Sequence, residues 1–110
     1  IEKVMATRKL IKSNIVLKGS KTVILSHDNK LVVNFHDSPE LAVIGSGDVL
    51  SGLLVSLIGK KKMNPFLASC AATWIHGDIA KKYGKGLISE DIINGIPNAL
   101  KRLKDGKFIK

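Results

Sequence analysis

The sequence predicts an α/β domain, and three observations carry that prediction. Short runs rich in β-branched residues, Asn14 to Lys18, Thr22 to Ser26 and Leu31 to Phe35, crowd the first third of the chain. Helix start and stop signals divide the rest into separate segments. The 110 residues are 45% hydrophobic with a formal net charge of +9, which is too apolar for a disordered basic tail. A chain of this length buries about two-thirds of its unfolded surface around one core, so it holds one domain and not two.

Taken in order, residues 2–13 place Val4, Met5, Leu10 and Ile11 near helical spacing with basic residues between them, which predicts a short amphipathic helix. Two strands follow, separated by Gly19, Ser20 and Lys21. His27-Asp28-Asn29-Lys30 has turn chemistry, so the third run should form a hairpin with the second. Ser38-Pro39-Glu40 reads as a loop. From Val49 to Ile58 the chain is apolar on most sides, as a buried helix would be. Asn64-Pro65 supplies an N-cap and a first-turn proline for a helix ending at Tyr83-Gly84. Ser89-Glu90-Asp91 opens a last helix through Pro97 to Lys104, with acids at its start and cations at its end. A kink is expected at Pro97. Three short strands are a thin cover for that much helix, so more sheet is expected upstream.

Charge is uneven. Residues 60–110 hold 11 Lys+Arg against 4 Asp+Glu, whereas residues 1–59 hold 7 against 5. A basic half attracts nucleotides and other polyanions. With one Trp, one Tyr and three Phe, however, the chain lacks the interleaved aromatics of single-strand nucleic-acid binders. The apolar stretch Val49 to Gly59 is too short to span a bilayer. Glu2, Lys3, Arg8, Lys9 and Lys12 interrupt any signal-peptide core, and the lone Cys70 fits a reducing compartment, so a cytoplasmic protein is expected.

The chemistry concentrates in two stretches. Gly45-Ser46-Gly47-Asp48 stands immediately before the apolar helix. Glycines beside a helix start let backbone N–H groups converge on an anion, and an aspartate there can take a proton from a hydroxyl attacking phosphorus. The same Asp48 also suits an acid that stabilises its own helix, and the residues alone leave both readings open. Lys18-Gly19-Ser20-Lys21-Thr22 gathers two ammonium groups, two hydroxyls and a glycine turn. It suits phosphate or ribose oxygens, or simply a tight turn between strands. His76 and Asp78, two residues apart on a helix, do not share a face, so His76 reads as a packed histidine, Cys70 as core, and no metal site is expected.

Together, Asn14-Ile-Val-Leu-Lys-Gly-Ser-Lys-Thr22, the stretch Asn34 to Asp48, Val-Leu-Ser-Gly52, Asn64-Pro65-Phe66 and His76-Gly77 resemble the C-terminal part of the ADP/ATP-dependent NAD(P)H-hydrate dehydratases. These are ribokinase-like enzymes related to carbohydrate kinases, and the resemblance covers about Asn14 to Leu103. It implies that residues 1–110 are the C-terminal part of one ribokinase-like domain, incomplete without an N-terminal part that carries most of the sheet and much of the cofactor pocket. It further implies phosphorylation of hydrated NADH or NADPH by ADP or ATP, followed by loss of phosphate. Lys18, Gly19, Ser20, Lys21 and Thr22 would bind nucleotide, as would Gly47. Gly45, Ser46 and Gly47 would form the anion hole, and Asp48 would contact the hydrated cofactor and act as base. Mg2+ is implied with the nucleotide, without protein ligands identified in this chain.

Ile44, Asp37 and Glu40 stand where the family usually has glycine. Ile44 stiffens the approach to the loop, and the two acids add negative charge near an anionic ligand. A small-molecule kinase of the hydroxyethylthiazole or pyridoxal type and a basic nucleic-acid-binding module are the alternatives. Homo-oligomerisation is left open, and no membrane partner is expected.

Overall fold

The computed structural model describes residues 14–18, 21–35 and 38–104. The helix expected over residues 2–13 lies outside the described residues. Three strands come first, β1 (Ile15–Leu17), β2 (Thr22–Leu25) and β3 (Leu31–Asn34). They form one antiparallel sheet in the order β1-β2-β3, with Val16 opposite Ile24 and Ile24 opposite Val32. Ile24 and Leu25 on the middle strand are fully buried.

The expected hairpin between β2 and β3 is present, and local chemistry fixes its turn. The Ser26 amide donates to the Lys30 carbonyl at 2.8 Å, and Asn29 adopts the left-handed φ of 69° that asparagine tolerates. The Ser26 hydroxyl donates to the Asp28 carboxylate and holds that carboxyl below its ordinary range. A 3-10 turn, Pro39–Leu41, then leads to three helices: α1 (Ser46–Gly59), α2 (Pro65–Tyr83) and α3 (Ser89–Lys104). The caps of α2 are those its sequence announces. Asn64 Oδ1 accepts from the amides of Phe66 at 2.9 Å and Leu67 at 3.4 Å, and Gly84 follows the helix at a φ of 84°. Helix α3 is continuous through Pro97.

The layer order differs from expectation in one respect. Helix α1 packs on α2 and α3, and it is α2 that also lies against β2 and β3. The apolar stretch of α1 is therefore not buried on most sides. It buries one stripe, Ser46, Leu50, Leu53 and Leu57, while Val55 is 69% exposed. Residues 3 or 4 apart share a helix face, so a helix with neighbours on one side covers one stripe whatever its composition. Leu50, Leu53 and Leu57 meet Ala72, Ile75 and Ile79 of α2 and Ile92 and Ala99 of α3 in a single core. The result is a small α/β structure of a three-stranded antiparallel sheet and three helices.

Candidate phosphate-loop site

Gly45 is the residue before α1 and takes a left-handed φ of 85°. A side chain there would be strained, and its Cβ would also stand 3.0 Å from the Ser89 hydroxyl. The turn into the helix disposes every carbonyl around it. The Val43 carbonyl accepts from the Ser46 amide at 3.2 Å and the Gly45 carbonyl from the Val49 amide at 3.1 Å. The Ile44 carbonyl accepts from the Ser89 hydroxyl, reached from the start of α3. The Ser46 carbonyl lies 3.0 Å from His76 Nε2 on α2, and the Gly47 carbonyl accepts from the Ser51 hydroxyl at 3.0 Å.

What remains is a surface of donors. Val49 is the first residue of α1 whose amide reaches back four residues, which leaves Gly47 and Asp48 as the unspent amides of the first turn. The expectation that Gly45, Ser46 and Gly47 together form an anion hole is narrowed by this geometry. The Ser46 amide is spent on Val43, and its hydroxyl is buried 3.1 Å from His76 Nε2. Gly47 and Asp48 are exposed. Asp48 also lines a cleft of about 490 Å³ between α1 and α3, with Val49, Gly52, Leu53, Ser56, Ile93 and Ile96.

The second predicted stretch sits in a different layer, at the sheet. Lys18 is exposed at the end of β1, and Gly19 and Ser20 lie outside the described residues. Lys21 is exposed with its ammonium 4.9 Å from the centre of the Phe35 ring, while Thr22 is buried at the start of β2, paired with Asn34. Lys18 and Thr22 thus differ in exposure. Of the departures from the family pattern, Asp37 lies outside the described residues, and Ile44 is 98% exposed, its side chain clear of the loop it precedes.

Two residues that sequence reasoning did not assign to the loop are joined to it. His76 is buried as expected, yet its ring reaches Ser46. The signal was its setting: a histidine among Ala72, Ile75, Ile79 and Ala80 needs a polar partner when buried. Ser89 reads as a helix cap, but the Ile88 amide donates to Asp91 Oδ2 at 3.0 Å, which leaves the Ser89 hydroxyl for Ile44. Elsewhere on α2, Asp78 is buried and receives Arg102 Nε at 2.8 Å. Cys70 is half-buried on an apolar cleft with Ile24, Met63 and Trp74, and burial pushes its thiol pKa up. Among the described residues no three His, Cys, Asp or Glu side chains converge as a metal site, and no helix is long and apolar enough to cross a membrane.

The sequence profile of the NAD(P)H-hydrate dehydratase family matches residues 2–97. The chain belongs to that family. It is 43% identical over 68 residues to an ADP-dependent (S)-NAD(P)H-hydrate dehydratase of Neisseria meningitidis, covering 62% of this chain and 23% of the relative. It is 35% identical over 104 residues to a bifunctional NAD(P)H-hydrate repair enzyme of Thermofilum pendens, and 37% identical over 95 residues to one of Methanocaldococcus jannaschii. These two matches cover 86% and 83% of the chain and 19% of each relative, so the chain spans under a quarter of the curated relatives' length. No solved structure matches the chain significantly.

Proposed function

We propose that this segment supplies the phosphate-facing part of the site in a nucleotide-dependent NAD(P)H-hydrate dehydratase. The observation that carries the reading is the polarity of the loop. Each carbonyl from Val43 to Gly47 has a donor within the protein, and the amides of Gly47 and Asp48 are left over at the positive end of α1. An anion is the complement of such a surface.

In this reading the substrate is hydrated NADH or NADPH. The donor is ADP or ATP, and the Neisseria relative's name favours ADP. The hydrate hydroxyl oxygen bonds to the terminal phosphorus, the bridging P–O bond breaks to release AMP or ADP, and the Asp48 carboxylate accepts the hydroxyl proton. Phosphate then leaves carbon with the C–O electron pair, and loss of a neighbouring ring proton restores the double bond of NAD(P)H. Gly47 faces the nucleotide phosphate. Family resemblance assigns Lys18, Gly19, Ser20, Lys21 and Thr22 to the nucleotide as well, with the ammonium groups of Lys18 and Lys21 exposed to meet it. The described residues build no cage for Mg2+, an ion that binds through substrate phosphates and water as much as through protein. The rest of the domain supplies the remaining sheet and cofactor pocket, and a cytoplasmic location keeps Cys70 reduced.

The test is turnover of hydrated NADH with ADP by the intact enzyme carrying this segment. Asp48→Asn should lower kcat by about 10²–10⁴ while nucleotide affinity stays within about threefold, as loss of a general base does. Near-normal turnover would remove Asp48 from the mechanism and leave it a helix-stabilising acid.

A further inference from the structure

We propose that His76 and Ser89 are positioning residues of this reaction, which hold the phosphate loop in its donor-only state by fastening its carbonyls from behind. The inference rests on the reading of Gly45 to Asp48 as the phosphate-facing loop. Of the five carbonyls from Val43 to Gly47, three are bonded within the turn and helix, by the Ser46 and Val49 amides and the Ser51 hydroxyl, and the other two, Ile44 and Ser46, are met by Ser89 and His76. Those last two, Ile44 and Ser46, flank Gly45, the residue whose left-handed backbone makes the turn.

The grip calls for a particular tautomer of His76. Nε2 lies 3.0 Å from the Ser46 carbonyl and 3.1 Å from the Ser46 hydroxyl. A carbonyl oxygen can only accept, so in the proposed grip Nε2 carries the hydrogen and donates to it. His76 and Ser46 are both buried, which makes the bond costly to break. His76 comes from α2 and Ser89 from the start of α3, so the turn is gripped from both helices on which α1 packs. Without Ser89 the Ile44 carbonyl loses its side-chain donor, and without His76 the buried Ser46 side chain loses its partner, so the turn that aims the Gly47 and Asp48 amides at the anion is held less firmly. A group that aims donors at transferring phosphorus acts most strongly in the transition state, so the loss should appear in kcat more than in nucleotide KM.

The experiment uses the intact dehydratase containing these residues, with ADP and hydrated NADH, and the variants His76→Leu, His76→Gln and Ser89→Ala. His76→Leu should lower kcat about 10- to 100-fold with nucleotide KM within about threefold, somewhat less than removing a direct oxyanion donor. His76→Gln can place an N–H near the Nε2 position and should recover most of kcat, and Ser89→Ala should lower kcat about three- to tenfold, because water reaches that exposed bond. In the wild-type protein, ring ¹⁵N shifts of His76 should report the Nε2-protonated tautomer, a readout that holds even where His76→Leu fails to fold. An Nδ1-protonated ring overturns the proposal. So does unchanged kcat in both His76→Leu and Ser89→Ala while Asp48→Asn is inactive, which would spare the site reading and sink the grip alone. Normal turnover of Asp48→Asn removes the site reading and the proposal with it.

Discussion

Helix α1 is almost wholly apolar after its first turn, and α2 mixes Ser69, Thr73, His76 and Asp78 into its middle, yet α2 is the more buried. Ten of its 19 residues are buried, against four of 14 in α1. The difference follows from place in the fold. Helix α2 has α1 and α3 on its flanks and the sheet beneath it, whereas among the described residues α1 packs mainly on the other two helices. A helix enclosed on several sides must find partners for each polar group it carries, and α2 does. Ser69 donates to the Pro65 carbonyl at 2.8 Å, Thr73 to the Ser69 carbonyl at 2.9 Å, His76 reaches Ser46, and Asp78 takes Arg102. Hydrophobicity says what a helix can bury; the neighbours decide what it does bury.

Three substitutions can break or sharpen that contrast, each read by urea or thermal unfolding. The largest effect is expected at the Asp78 and Arg102 pair. Arg102→Met leaves a carboxylate whose side chain is 6% exposed without its guanidinium, which should cost about 3 kcal/mol. A cost below about 1 kcal/mol would mean that α2 does not depend on pairing its buried charge. The intermediate effect is at Gly95 on α3. A Cβ there would meet Ile79 Cγ2 at 2.7 Å, so Gly95→Ala should destabilise by about 1 kcal/mol after its better helix propensity is counted. A raised melting temperature would show that α2 and α3 have room between them. The smallest effect is on α1, where Val55→Ser should change stability by no more than about 0.5 kcal/mol because that side chain is already exposed. A loss of about 2 kcal/mol would place α1 among the enclosed helices after all.

How much of this was legible in the sequence follows the range of the interactions involved. The bounds of α2 rest on Asn64-Pro65 and Tyr83-Gly84, and the turn after β2 on Ser26 to Lys30, all contacts between near neighbours in the chain. The glycine loop at the start of α1 was legible for the same reason. The contacts that finish the loop were not. His76 meets Ser46 across 30 residues and Ser89 meets Ile44 across 45, and no periodicity or cap signal specifies a partner at that range. The exposure of α1 was misjudged because apolar composition carries no information about which side a neighbour covers. The spacing of Leu50, Leu53 and Leu57 did mark the stripe that is buried.

The close approach of Gly45 to Ser89 also constrains the order in which this sequence can drift. A side chain at position 45 has to tolerate a φ of 85° and to occupy space that the Ser89 hydroxyl already borders at 3.0 Å. Replacing Ser89 first opens that space at the expense of one hydrogen bond to Ile44, after which asparagine, the side chain most at ease at positive φ, can enter at 45. Taken in reverse, the first step meets both obstacles at once. The two positions are coupled, and a side chain at 45 enters more easily once 89 has given up its hydroxyl.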